Sequence, residues 1–173
     1  IQCGESYDIF SEEIVKAIKE DELVNSYAFP AKVFSILFSR TGVGMYYKPH
    51  LDLIYNKEGR RDLSFTIFLN KPDEYKGGEL ILYIRPEKKS IKLRAGEMII
   101  YPTKYLHEVK EVTEGERIVC VGWIESQIAR DDDRDTLSLL QKGMTDIAAT
   151  HGNIPSLQTL NMVYNHIYKR FIN

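Results

Sequence analysis

Apolar residues Ile9, Phe10, Ile14, Val15, Ile18 and Val24 recur near the helical period, which predicts an amphipathic helix over residues 8–24. Ser11, Glu13 and the nearby acids suit its start, where the helix dipole favours negative charge. From residue 31 the pattern changes. Short runs rich in Val, Ile, Phe and Tyr alternate with Gly, Pro and Asn. They predict strands at Val33–Ser39, His50–Tyr55, Ser64–Leu69, Glu79–Ile84, Ser90–Leu93, Met98–Tyr101, Glu108–Val112 and Arg117–Ile124. Turns are legible at Thr41–Gly44, Lys76–Gly78, Arg94–Gly96 and Thr113–Gly115. No helical period falls between these runs, so a parallel α/β sheet is disfavoured and a sandwich or jelly roll is expected. After residue 130 the helical period returns. Asp131–Asp133 read as the cap of a helix carrying Leu137, Leu140, Met144 and Ile147, which Gly152 and Asn153 end. Pro155 and Ser156 open another, with Leu157, Leu160, Tyr164, Ile167 and Phe171 on one stripe. The expected class is therefore mainly β with flanking helices (α+β), one helix before the strands and two after them.

Composition narrows the function. The chain has 173 residues, 43% hydrophobic and 28% charged, enough for one domain with a core. With 23 basic and 25 acidic residues its net charge is −2, so no broad basic surface is offered and no nucleic-acid partner is expected. No apolar run approaches the roughly 18–20 residues of a membrane span. The opening residues Ile1–Glu5 do not read as an export signal. Cys3 and Cys120 make no disulfide framework, and Cys120 in its apolar run reads as a buried reduced thiol. A cytoplasmic setting is expected.

Candidate chemistry rests on few residues, because the chain holds only four histidines. His50 and Asp52 stand two apart. On a strand they would share one face, about 7 Å apart along the chain. His107 lies late in the β region, on a strand that a sandwich can bring opposite the first. Two imidazoles and one carboxylate on one face of a metal leave adjacent positions open, which suits non-haem Fe(II) chemistry. Taken singly, each residue reads equally well as an ordinary surface-strand or loop histidine. Arg117 changes the weighing. Its parity groups it with Val119, Val121 and Trp123, while Ile118, Cys120 and Ile124 form an equally apolar other face. A guanidinium entering so apolar a strand needs an anion, because an unpaired buried charge is costly. A small dicarboxylate held by the bidentate fork answers that need; an acid from another strand is the alternative.

The ordered set Gly44-Met45-Tyr46-Tyr47-Lys48-Pro49-His50-Leu51-Asp52, Arg61-Asp62-Leu63-Ser64-Phe65-Thr66-Ile67-Phe68-Leu69-Asn70, Gly77-Gly78-Glu79-Leu80, Gly96–Pro102, Leu106-His107 and Arg117 resembles the Fe(II)/2-oxoglutarate-dependent dioxygenases of the prolyl 4-hydroxylase-like branch. Trp123–Gln127, Arg130–Asp132 and Val163–His166 add a resemblance to the PKHD-type hydroxylases. The resemblance implies a double-stranded β-helix (jelly roll, cupin-like) over residues 1–126 with its N-terminal helix, and a helical extension over 127–173. It implies that His50, Asp52 and His107 ligate Fe(II), and that Arg117 binds the distal carboxylate of 2-oxoglutarate. The implied reaction hydroxylates an unactivated C–H bond, of a prolyl residue or a related amino-acid or peptide substrate. Succinate and CO2 are released, and ascorbate serves as reductant.

The remaining residues carry weaker expectations. Phe65, Phe68, Tyr101 and Trp123 are candidate pocket walls, or plain core. Tyr46, Tyr47 and Arg40 are candidates for the substrate mouth, or half-exposed strand residues. Residues 57–62 read as a lid or as a solvated hairpin end. His151 and His166 read as surface or packing residues, and the terminal helices as supports that could also pair two copies into a homodimer. Two competing functions remain at this point. One is a Zn hydrolase on the same ligands, which needs a nearby base that Glu108, on the opposite side of its strand, is badly placed to be. The other is a noncatalytic cupin-like binding module, which has no evident need for Arg117.

Overall fold

A computed structural model describes residues 4–172. The helices are α1 (Glu5–Glu20), α2 (Glu22–Ala28), α3 (Asp131–His151) and α4 (Pro155–Phe171). The strands are β1 (Pro30–Thr41), β2 (Tyr47–His50), β3 (Tyr55–Asn56), β4 (Gly59–Arg60), β5 (Leu63–Phe68), β6 (Tyr75–Gly77), β7 (Leu80–Ile84), β8 (Glu87–Ile91), β9 (Met98–Pro102), β10 (Leu106–Val109), β11 (Val112–Gly115) and β12 (Arg117–Ser126). Two four-stranded sheets form, ordered β1-β12-β5-β9 and β2-β10-β7-β8, beside the ribbons β11-β6 and β3-β4. Every pairing is antiparallel. This is the jelly-roll arrangement expected from the strand-rich middle of the chain.

Residue parity sorts the first sheet into two faces. Leu63, Phe65, Cys120 and Ile124 turn outward and bury against Ile18 of α1 and Val24 and Ala28 of α2. Val119, Val121 and Trp123 turn inward, toward a cavity between the sheets. Gly122, on the outward parity, makes room for the Phe65 ring, since a Cβ there would fall 2.6 Å from its Cζ. A second apolar cluster joins Phe29, Ile128 and Leu137 to Tyr164, Ile167 and Phe171, so the C-terminal helices close over the chain leaving β12. Among the described residues, no helix is long and apolar enough to cross a membrane.

Four local expectations change. The single helix expected over residues 8–24 starts earlier, at Glu5, and is two helices: Asp21 is extended and its carboxylate accepts from the Val24 amide at 2.9 Å, ending one helix by capping the next. Asp131–Asp133 do not cap α3 with their side chains but occupy its first turn, where Asp131 instead pairs with Arg134 and Lys104. The strand expected at Glu108–Val112 is the junction of β10 and β11. The strand expected at His50–Tyr55 lies at Tyr47–His50, so Asp52 stands in the loop beyond it. Cys3 lies outside the described residues.

The ribbon β6-β11 sits just before Arg117 and depends on glycine. Gly77 has φ +70, and a Cβ there would lie 2.0 Å from the Glu111 carbonyl oxygen. Because that obstacle is backbone, Gly77→Ala is expected to destabilise the fold by roughly 2 kcal/mol or more. Thermal unfolding checks this, and an unchanged melting temperature would contradict it.

Candidate metal centre and anion site

His50 ends β2 and His107 lies inside β10, and the two are direct cross-strand partners. The expectation that their strands face each other across the sandwich is therefore corrected, because they are neighbours in one sheet. Their ring centroids lie 4.3 Å apart. Asp52 reaches the same point from the loop after β2. Its Oδ1 lies 3.7 Å from His50 Nε2 and 3.8 Å from His107 Nε2. The ligand atoms of all three residues fall within 4.8 Å of one another.

The tautomers follow from the second nitrogen of each ring. His50 Nδ1 is 2.8 Å from the Lys48 carbonyl oxygen, and His107 Nδ1 is 3.0 Å from that of Tyr105. A carbonyl can only accept, so Nδ1 carries the hydrogen in both rings. Both Nε2 lone pairs are then free and aimed at a carboxylate. Three converging acceptors repel unless a cation or proton sits between them. Two imidazoles and one carboxylate form the donor set that suits a divalent metal with open positions, so these residues fit Fe(II). Burial holds the His107 imidazole below its ordinary pKa, with the Tyr105 carbonyl and the Asp52 charge acting against that shift. The neutral, lone-pair-bearing form is thereby favoured.

The cavity at this cluster has a volume of about 310 Å³ and is walled by both sheets. Arg117 enters it from the start of β12, only 3% exposed. Among the described residues no acid pairs with its guanidinium, and its buried Nε has no hydrogen-bond partner. Its Cζ lies 5.5 Å above the Phe68 ring. Burial lowers its pKa, opposed by the phenols of Tyr75 and Tyr101. A cation kept this dry beside a metal-type cluster suits an anionic ligand, since the described residues supply no counter-charge. The alternative of a protein carboxylate as its partner is not realised among them.

The wider cavity accounts for other candidates. Tyr101 and Trp123 line it from inward positions; Phe65 also borders it although its side chain packs on the outward face, whereas Phe68 is fully buried beneath Arg117 and does not line it. Arg40, Tyr46 and Tyr47 line its mouth, with Arg40 tied to Glu116. Segment 57–62 belongs to the β3-β4 hairpin, where Arg60 bonds Asp62 and the Ser126 carbonyl. Glu108 turns away from the cluster, accepting from Tyr83 at 2.6 Å and Lys110 at 2.9 Å. Asp52 is the one acid that lines the cavity among the described residues, so no second carboxylate there stands ready as the base of a hydrolase. His151 and His166 lie exposed on the C-terminal helices. Cys120 is a free, fully buried thiol whose pKa burial pushes up to about 12, which makes it inert. Sequence reasoning missed Ser64 and Thr66, which line the cavity from β5. Their polar character at inward positions of an otherwise apolar strand was the available signal.

Comparison with known proteins agrees with this geometry. The sequence profile of the 2OG-Fe(II) oxygenase superfamily matches residues 36–125. A PKHD-type hydroxylase of Prochlorococcus marinus (strain MIT 9313) is 43% identical over 160 residues, spanning 92% of this chain and 72% of that protein. Another, from a different strain of the same species, is 46% identical over 157 residues, spanning 91% and 71%. Among solved structures, a Pseudomonas putida prolyl-4-hydroxylase has a TM-score of 0.54 at 21% identity, covering 67% of this chain and 66% of that one. The 2OG complex of a viral collagen prolyl hydroxylase from Paramecium Bursaria Chlorella virus-1 has a TM-score of 0.52 at 19% identity, covering 72% and 75%. At such identities the solved structures speak to the fold alone. Sequence profile and curated relatives together establish that the chain belongs to the 2OG-Fe(II) oxygenase superfamily, the 2-oxoglutarate-dependent dioxygenases, alongside the PKHD-type hydroxylases.

Proposed function

We propose that the chain hydroxylates an unactivated C–H bond of a prolyl residue, or of a related amino-acid or peptide substrate, using Fe(II), 2-oxoglutarate and O2. The observation that carries this reading is the Arg117 guanidinium, which no acid among the described residues pairs, sharing one cavity with His50, Asp52 and His107. When bound, the iron and its cosubstrate supply the oxidation, and the cosubstrate leaves as succinate and CO2.

In this reading His50, Asp52 and His107 hold the iron, with Nε2 of each ring presented by the Nδ1 contacts to Lys48 and Tyr105. Arg117 takes the distal carboxylate of 2-oxoglutarate, and its fork fixes the orientation of a flexible dicarboxylate. Val119, Val121, Leu80 and Val109 keep water from the far side of the cavity. Tyr46, Tyr47 and Met45 at the mouth receive the substrate, and aromatic rings there suit a prolyl or peptidyl group. Ascorbate would serve as the reductant that keeps the bound iron ferrous.

The test is incubation with Fe(II), ascorbate, 2-oxoglutarate and a host lysate or peptide panel. The expected result is a product 16 Da heavier, formed with stoichiometric succinate and abolished without O2. Turnover that persists anaerobically with Zn(II) would replace this reading by hydrolysis.

A further inference from the structure

We infer that Ser64 and Trp123 restrict Asp52 to one metal-facing oxygen, and that Arg61 holds Trp123 in place to do so. The inference rests on the proposed role of Asp52 as an iron ligand. The two carboxylate oxygens have different surroundings. Oδ1 faces both imidazole Nε2 atoms, at 3.7 and 3.8 Å. Oδ2 accepts from Ser64 Oγ at 2.9 Å and from Trp123 Nε1 at 3.0 Å. A carboxylate oxygen has two in-plane lone pairs, and here both are taken on Oδ2.

The hydrogens have no freedom to reverse this. Trp123 Nε1 only donates. Ser64 Oγ also lies 3.0 Å from Thr103 Oγ1. Because the carboxylate only accepts, the single Ser64 hydrogen goes to Asp52, and Thr103 donates into Ser64. Ser64 is 3% exposed and Thr103 1%, so the relay is held inside the sheet rather than on the surface.

Fold topology explains why both donors reach one atom. Trp123 of β12 and Ser64 of β5 are direct cross-strand partners. Arg61, just before β5, lays its guanidinium carbon 3.8 Å over the Trp123 ring. Its backbone amide donates to the Ile54 carbonyl at 2.9 Å, tying it to the loop that carries Asp52. Arg61 Nε is buried and has no hydrogen-bond partner among the described residues, as expected of a guanidinium placed for the ring face. A carboxylate so held would offer a bound metal one oxygen, whereas a bidentate one would offer two and leave fewer positions for other ligands. Ser64, Trp123 and Arg61 are positioning residues and not ligands.

The experiment is anaerobic calorimetric titration of the chain with Fe(II), alongside metal-free melting temperatures. Ser64→Ala and Trp123→Phe are each expected to weaken Fe(II) binding about tenfold, and the double variant about a hundredfold. Ser64→Thr, which keeps the hydroxyl, is expected to stay within about twofold of the parent, whereas Arg61→Met, which removes the stack on Trp123, is expected to weaken binding severalfold, and parent-like affinity there overturns the role of Arg61. Metal-free melting temperatures close to the parent's, with weakened metal binding, support the positioning role. Unchanged Fe(II) affinity in both single variants overturns it. Weakened binding that merely tracks a loss of metal-free stability overturns it as well, because that is a packing effect. A parent protein that binds no Fe(II) overturns the proposed function and this inference together, an outcome distinct from the other two.

Discussion

Replacing Arg117 by Met is expected to abolish 2-oxoglutarate binding while Fe(II) binding survives and the ligand-free protein becomes no less stable. The guanidinium is 3% exposed and faces no acid among the described residues. In the ligand-free protein it is a desolvated charge without a counter-charge, a cost that Met at similar volume removes. With the dicarboxylate present the balance inverts, because losing one partner of a buried charge-assisted pair costs about 2–5 kcal/mol, or roughly thirtyfold to several-thousandfold in affinity. The visible charge-transfer band of the ferrous 2-oxoglutarate complex reads binding directly. Thermal stabilisation gives a second readout: at 100 times its Kd a ligand adds about 2.7 kcal/mol to the parent, and this gain should vanish in the variant. A variant that binds 2-oxoglutarate like the parent would show that the buried cation serves another ligand. A variant that melts far below the parent would show that Arg117 is structural.

Asp52→Ala and His107→Ala should each remove measurable Fe(II) binding, with a loss of a hundredfold or more expected by analogy with the cost of losing even supporting contacts, about 10–100-fold. The three ligand atoms lie within 4.8 Å of one another, so losing any one leaves too few donors for a tight site. In the metal-free fold two effects of Asp52→Ala oppose each other: losing Oδ1 relieves its repulsion with two imidazole nitrogens that have no hydrogen to give, while losing Oδ2 leaves Ser64 Oγ and Trp123 Nε1 without their acceptor. His151→Ala and His166→Ala serve as controls, since both residues are exposed on the C-terminal helices. Loss of Fe(II) binding in the controls, or its retention in Asp52→Ala, would contradict the assignment.

Much of the site was legible in the sequence because its chemistry is carried by rare residue types. With four histidines in the chain, the two that the fold brings together beside Asp52 could be singled out. The demand of Arg117 for an anion followed from its position in an apolar strand. Other features depended on neighbours distant in the chain. Ser64 and Arg61 acquire their roles only because β5 pairs with β12 and brings Trp123 alongside. Phe68, by sequence a candidate wall or plain core, proves to be core, and its ring lies beneath Arg117. The helix break at Asp21 was hidden because the apolar spacing of α1 continues smoothly into α2, while the break is made by a side-chain cap.

Local period and residue type were thus sufficient for the class of element along most of the chain, for the strand parity that turns Arg117 inward, and for the residues able to bind metal. Those properties depend on interactions within a few positions, where side-chain direction is set by the backbone repeat. Tertiary structure alone decided that His50 and His107 are paired neighbours in one sheet, that Asp52 joins them from a loop, and that no acid among the described residues reaches Arg117. Pairing register and the lack of a counter-charge are properties of segments far apart in the chain, and no local pattern encodes which of them will meet.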